Sequence, residues 1–366
     1  MAGLAARGPA QPKVRSRAGG AAVPLDETDK ALMNVLQSKF PLAPEPFAGV
    51  AEEAGLDVSE VQARAQHLLD KRIIREITPI FDTRALGYSS MLVAAKVDAE
   101  HPQRPAKIVN SHPGVSHNYL RTHEFNLWFT IATPPDSRLG LEGTLDVLQE
   151  LTEAESIRQL PTLTLFKINM NLEMEGSTDA LAASVEPTPP RELEAVPYGE
   201  DDIQIIRALQ GPMEVVDRPY DAAAASVGMS TEDLLTHLEG MIDRGILRRV
   251  AAILNHRRAG FSANGMGVWK VPEDRIAEVG SRMAAVRGIS HCYQRPTYAD
   301  WPYSVFTMAH GRSKEECDAI LDRIADDHDL HGSDRATLYS STEYKKIRLH
   351  YFTDDYSRWE AEHATA

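Results

Sequence analysis

The sequence predicts an α+β protein that contains one unit twice, a helix-turn-helix domain followed by a ferredoxin-like βαββαβ domain. A constant spacing is the first sign. Asp29 matches Asp202, Leu36 matches Leu209, Gly55 matches Gly228, Arg75 matches Arg248 and Gly87 matches Gly260, always 173 residues on. The second sign is a helix, helix, glycine turn, helix pattern at the head of each copy. The third is the alternation of aromatic and polar residues in the strands that follow. Two copies of this length are a fused pair of related domains rather than a solenoid.

The first helix is expected over 25–39, where Leu25, Leu32, Val35 and Leu36 recur at helical spacing. A short helix over 47–54 ends at the Gly55 turn, and Ser59 is the expected N-cap of a third helix over 60–70. The second copy places its helices at 201–209, 220–226 and 231–244. Strands then fall at 91–97, 115–122, 126–132 and 162–172, with helices at 105–110 and 141–151. Their counterparts are strands at 265–271, 289–295, 304–310 and 336–349 and helices at 275–286 and 314–325. Helix-turn-helix domains thus occupy 23–80 and 200–253, and ferredoxin-like domains 81–175 and 254–352. A proline-rich linker covers 176–199, long enough for the halves to pair as a pseudo-dimer. Residues 1–22 read as a disordered tail and 353–366 as a polar one.

The 366 residues are 43% hydrophobic and 25% charged, an ordinary globular composition. No run of eighteen apolar residues occurs, so no membrane span is expected. Two cysteines, Cys292 and Cys317, exclude a disulfide framework and a cysteine-based zinc site and fit a reducing cytoplasm. A net charge of −14 disfavours nucleic acid and membrane surfaces as partners. The helices that would read DNA begin with Glu60 in one copy and Glu232 with Asp233 in the other, acids where phosphate would lie.

The chemistry concentrates in one strand of each copy. Residues two apart share a face of a strand, so His117, Tyr119, Arg121 and His123 line up in the first copy, and His291, Tyr293 and Arg295 in the second. Cys292 falls on the face opposite His291, which suits a buried structural thiol better than a nucleophile. No compact histidine/carboxylate signature accompanies these histidines, so no metal site is expected. Acid–base chemistry on an anionic aromatic ligand fits the set: histidine supplies a proton, tyrosine assists and arginine holds carboxylates. Tyr298 and Trp301 could cover a flat ring. Arg248, Arg249 and Arg257 belong to a local run of cations that suits either anion binding or a solvated surface. A polar dimer interface is the alternative use of the strands; recurrence in both copies favours function.

The order of helix-turn-helix and βαββαβ resembles the leucine-responsive (feast/famine) regulators. Within that superfamily, the string from His117 to His123 and Phe125-Asn-Leu-Trp-Phe-Thr resemble the first subunit of the sirohaem decarboxylases. Gly245-Ile-Leu-Arg-Arg, the string from Leu254 to Phe261, and His291-Cys-Tyr-Gln-Arg-Pro resemble the second, so the resemblance spans 25–352 and implies two subunits fused in one chain. It implies removal of CO₂ from the C12 and C18 acetates of sirohaem, on the way to haem or haem d1, without a cofactor beyond the iron-bearing substrate. Proton donation would then fall to His117, His123 and His291 with Tyr119 and Tyr293 assisting. Arg121, Arg248, Arg249, Arg257 and Arg295 would bind the substrate's carboxylates. A further homo-oligomer is compatible with this reading. The first copy carries Glu76 where the second has Arg249, a departure that bears on whether the two sites are equivalent. The alternatives are a small-molecule-responsive regulator and a non-catalytic tetrapyrrole carrier.

Overall fold

The computed structural model describes residues 25–38, 40–168, 196–255, 263–311 and 313–363. Arg257, the first tail and most of the expected linker lie outside the described residues.

The first copy opens with α1 (Glu27–Ser38), α2 (Pro46–Ala54) and α3 (Val58–Asp70). Pro46 sits in the first turn of α2, where its missing N–H costs nothing, and Gly55 ends that helix with φ 67°, a left-handed conformation that glycine adopts without strain. Asp57, not Ser59, is the N-cap of α3, so Ser59 lies inside the helix. Leu32, Met33, Leu36, Phe47, Val50, Val61 and Leu68 close the core of this domain. Then come β1 (Ile74–Phe81), β2 (Ser89–Lys96), α4 (Gln103–Ser111), β3 (Val115–Arg121), β4 (Leu127–Thr133), α5 (Gly140–Thr152), β5 (Ser156–Leu160) and β6 (Thr164–Ile168). Of the strand expected over 162–172, residues 164–168 form β6 and 169–172 lie outside the described residues, while β5 precedes it as a strand that the sequence reading left out.

The second copy runs α6 (Glu200–Leu209), α7 (Asp221–Ser226), α8 (Thr231–Asp243), β7 (Leu247–Leu254), β8 (Ala263–Trp269), α9 (Ile276–Ala285), β9 (Ile289–Gln294), β10 (Val305–Gly311), α10 (Lys314–His328) and β11 (Arg335–Lys346). Here a side chain does cap the third helix: Ser230 Oγ accepts the N–H of Asp233. The segment expected as a polar tail is in part helical. Residues Asp355–His363 form α11, with Tyr356 and Trp359 buried. Two aromatics three residues apart in an otherwise charged segment are enough to fasten it to the first ferredoxin-like domain.

The halves are interlaced. β1 and β7 form an antiparallel ribbon in which Thr78 faces Ala251. Those two residues are themselves repeat equivalents (251 − 78 = 173), so a pseudo-twofold axis crosses the ribbon there. The other nine strands follow the order β5-β2-β4-β3-β11-β8-β10-β9-β6. Within it each copy has the ferredoxin-like order 4-1-3-2, and the fourth strand reaches across to its partner. In β11, residues 335–339 pair with β8 of their own copy and residues 340–346 with β3 of the other. The first copy does the same with two pieces: β5 pairs with β2, and β6 with β9 of the other copy. Between the paired sheets lies a core of Phe125, Trp128, Leu160, Trp301, Phe306 and Leu338 drawn from both copies. Burying one such apolar side chain stabilises by about 1.5–3 kcal/mol, so this core holds the pseudo-dimer together.

Candidate active site

The chemistry-bearing strands β3 and β9 share one irregularity. Pairing of β3 with β4 goes from Val115↔Ile131 to His117↔Thr130, leaving Ser116 as an extra residue. Pairing of β9 with β10 goes from Ile289↔Ala309 to His291↔Met308, leaving Ser290 extra. A β-bulge of this kind re-aims side chains and breaks strict alternation. It brings each serine round to its histidine: Ser116 Oγ lies 3.0 Å from His117 Nδ1, and Ser290 Oγ 2.6 Å from His291 Nδ1. The residues between, Asn118 and Cys292, face the helices instead. Asn118 Nδ2 donates to the Ala106 carbonyl and Cys292 Sγ to the Gly280 carbonyl. Burial pushes the Cys292 thiol well above its ordinary pKa, so it is an inert thiol, as its strand position suggests.

On the other face the two copies present matched pairs. The rings of His117 and Tyr119 are 6.1 Å apart, and those of His291 and Tyr293 6.0 Å. Burial, with Lys346 and Arg75 adding to it, lowers His117 to about 4. It is therefore neutral near pH 7 in the unliganded protein. Tyr293 is raised to about 12 by burial, with Arg295, Arg84 and Arg248 opposing that rise. The charges of cations from the ribbon and its flanks thus reach each pair: Lys346, paired opposite His117, and Arg75 act on His117, and Arg84 and Arg248 act on Tyr293.

The arginines divide into two kinds. Arg121 and Arg295 are buried at equivalent places. Arg121 Nη1 donates to the Leu338 carbonyl at 2.9 Å, and Arg295 Nη1 donates to the Leu160 carbonyl. Those carbonyls sit at the ends of the stretches where each fourth strand leaves its own copy. The guanidiniums also stack over aromatic faces, Arg121 5.7 Å from Tyr119 and Arg295 4.8 Å from Tyr293. Burial lowers both to about 10, which still leaves them charged at neutral pH. Arg248 instead reaches Asp82, with Nε 2.7 Å from Oδ2, while remaining half exposed. Arg249, next along β7, stands opposite Ile80, and the pairing shifts between it and Leu247, leaving Arg248 as the extra residue.

Three sequence-selected residues stand apart from these pairs. His123 Nδ1 accepts the N–H of Phe125, and its ring packs edge-on to Trp301 at 5.2 Å. It borders a hollow of about 390 Å³ that also holds Asp98, Glu124, Glu153 and Glu155, surroundings that repel an anionic ligand. Trp301 is fully buried in the inter-sheet core, so it offers no face to a flat ring in this structure, contrary to the expectation from sequence. Its loop is a tight turn in which Tyr298 and Trp301 bond each other's backbone, and the mutual closure directs the indole inward. Tyr298 spends its hydroxyl on the Gln159 carbonyl at 2.6 Å and lies under Arg158.

The structure adds groups that the sequence reading left out: Ser116, Ser290, Arg75, Arg84, Lys346 and His310. Arg84 was within reach, since it is the repeat equivalent of Arg257 (257 − 84 = 173). The Ser-His dipeptide also recurs in both copies. Lys346 carried no such signal, because only the crossing of β11 onto β3 brings it opposite His117. Among the described residues no cluster of three or more His, Cys, Asp or Glu is arranged to hold a metal ion.

Comparison with known proteins agrees with this architecture. A model described as an AsnC-like ligand binding domain matches residues 85–167 and 258–345. One described as the siroheme decarboxylase NirDL-like HTH domain matches residues 29–75 and 202–248. The chain is similar to a siroheme decarboxylase of Hydrogenobacter thermophilus, with 40% identity over 91% of this chain and 97% of that one. It is 32% identical to a siroheme decarboxylase NirDL subunit of Paracoccus denitrificans, over 81% of this chain and 89% of that one. A crystal structure of the siroheme decarboxylase NirDL in complex with an iron-uroporphyrin III analogue superposes with a TM-score of 0.73. It is 35% identical, over 92% of this chain and 99% of that one.

Proposed function

The chain belongs to the sirohaem decarboxylase family, in its fused two-subunit form, and on that premise we propose that it removes CO₂ from the C12 and C18 acetate arms of sirohaem. The product, didecarboxysirohaem, feeds haem or haem d1 synthesis. The observation that carries this reading is 40% identity to a siroheme decarboxylase over nearly the whole of both chains. The paired His/Tyr strands, each reached by the charge of cations, give it a chemical basis.

Losing CO₂ from an acetate leaves an electron pair on the methylene carbon, and the macrocycle can accept it without a separate cofactor. Each event then consumes one proton, which turns the methylene into a methyl. His117 and His291 are the proposed donors, with Tyr119 and Tyr293 beside them. His117 is neutral in the unliganded protein because it is buried among cations. A substrate rich in carboxylates reverses the sign of that field and favours the imidazolium. Arg75, Arg84, Arg248 and Lys346 are the proposed carboxylate contacts, since their charges reach the His/Tyr pairs. Arg121 and Arg295 act behind Tyr119 and Tyr293, joining the copies. His123 is not retained as a donor, because the carboxylates around it repel those of the substrate.

The protein works without nucleic acid on this reading. Arg64, the cation near the start of α3, is already engaged by Asp26, Asp29 and Glu60. No described helix is long and apolar enough to cross a membrane. The cysteines are both unpaired, which supports a cytoplasmic site of action. The test is anaerobic incubation of the purified protein with sirohaem alone. Mass spectrometry is expected to follow loss of one and then two CO₂. Retention of all the carboxylates with sirohaem bound would favour the carrier, and a sequence-specific, salt-sensitive gel shift the regulator.

A further inference from the structure

The two copies differ in what stands behind the histidine. In the second copy, Ser290 Oγ lies 2.6 Å from His291 Nδ1 and 2.7 Å from His310 Nε2. In the first, Ser116 Oγ lies 3.0 Å from His117 Nδ1 and 2.7 Å from Thr130 Oγ1, itself 3.4 Å from the same nitrogen. One serine bridge ends in a second imidazole and the other in a hydroxyl. A hydroxyl donates and accepts but holds no spare proton near neutral pH, whereas an imidazole does.

We propose that His310 is a positioning and proton-supplying residue that acts through Ser290 on His291, so that the second copy has a relay the first copy lacks. This rests on the decarboxylase reading above. The proton balance is simple. CO₂ leaves, and the new methyl takes the proton on His291 Nε2. Ser290 passes its hydroxyl proton to His291 Nδ1 and takes one from Nε2 of the His310 imidazolium. His291 and His310 both end neutral, one proton has been consumed, and solvent reloads His310.

Several groups bear on His310. Within its own sheet it lies opposite Asn264 of β8, its backbone N–H donates to the Gly288 carbonyl, and Ser290 links its ring to His291 of β9. Burial and then Lys346 of β11 lower it to about 4 in the unliganded protein. Lys346 also acts on His117, so substrate carboxylates that engage Lys346 relieve both rings. Of the two serine bridges, that of Ser290 joins the donor histidine to a second imidazole, whereas that of Ser116 ends at the Thr130 hydroxyl.

Single-turnover decarboxylation, followed by mass and repeated from roughly pH 5.5 to 8.5, tests the proposal. His310→Gln keeps an N–H for Ser290 but carries no exchangeable acid. It is expected to slow one of the two CO₂ losses by about tenfold or more. The monodecarboxylated tetrapyrrole then accumulates, substrate affinity is unchanged, and the slowed step loses its pH dependence near neutrality. Ser290→Ala is expected to give the same defect, and the double variant no more than either single one, because both cut one chain. Wild-type rates for both losses in His310→Gln overturn the proposal, and so does equal slowing of both without an accumulating intermediate. If the wild-type protein releases no CO₂ at all, the decarboxylase reading fails. An NMR titration of the unliganded protein then decides on the chain by itself. Coupled titration of His291 and His310 that separates in Ser290→Ala supports it, and independent titration in the wild type refutes it.

Discussion

Asp82 shows how much one side chain can organise here. It is 1% exposed, accepts from Arg248, and also takes the N–H groups of Arg84 and Ala85 at 2.9 and 3.0 Å. The carboxylate thus holds the Arg248 guanidinium and the backbone turn that carries Arg84. Asn255 stands at the equivalent place in the second copy, so the two cation sets are not copies of one another. Asp82→Ala is expected to destabilise the protein by about 2–3 kcal/mol in urea unfolding, through lost charge-assisted hydrogen bonds. Asp82→Asn keeps an acceptor for the backbone N–H groups and is expected to cost less. The donors separate differently. His117→Ala and His291→Ala are each expected to lower turnover by about 10²–10⁴-fold, as loss of a general acid does, while leaving sirohaem affinity nearly intact. Rapid-mixing rates and a binding titration on the same samples check both parts.

At the scale of elements, the crossing strands and α11 matter most. β6 leaves its own copy and lies under α9, where Phe166 packs on Gly280. A Cβ added to Gly280 would come within 2.4 Å of that ring. Gly280→Ala is therefore expected to push β6 off β9 and lower stability by about 1–3 kcal/mol, as overpacking does. Hydrogen exchange would show the loss concentrated in 164–168. α11 is fastened by Glu360, which accepts from the N–H groups of Arg138 and Leu139, and by Trp359, whose ring is 4.5 Å from His112. Truncation after Thr353 is expected to lower the melting temperature and expose apolar surface that binds a hydrophobic dye, because Tyr356 and Trp359 leave the core with it.

For the whole molecule, three histidines, one buried and two half-buried, shape the response to acid. Burial lowers His112 to about 3 and His117 and His310 to about 4. The unfolded chain holds these rings near 6.5, so between 6.5 and about 4 it binds more protons than the folded one. Their stabilising contribution is complete above pH 6.5 and is lost as pH falls toward 4, on the order of 3 kcal/mol per ring. Denaturant unfolding across that window is expected to show a steep loss. A bound carboxylate-rich substrate is expected to shift the loss to lower pH by stabilising the protonated rings of the folded state.

The sequence by itself determined the duplication, the α+β class and the residues of the two His/Tyr strands. All three are written in local spacing, a constant 173-residue offset, helical and strand periods, and alternation along single strands. It also pointed to Arg248, whose guanidinium is held by Asp82 and whose charge acts on Tyr293. Trp301 and His123 went elsewhere because the turn at Tyr298 and the acidic rim beside Glu124 are set by contacts far apart in the chain. Arg121 and Arg295 lie on the expected face, but that face meets the other copy, where backbone carbonyls take their charge. Ser290 joined His291 only because a bulge brings two consecutive residues to one side. His310 joined them because β10 pairs beside that bulge. Local pattern fixes which face a residue takes, whereas its partner across that face depends on strand order, register and the crossing of the fourth strands, which only the tertiary fold decides.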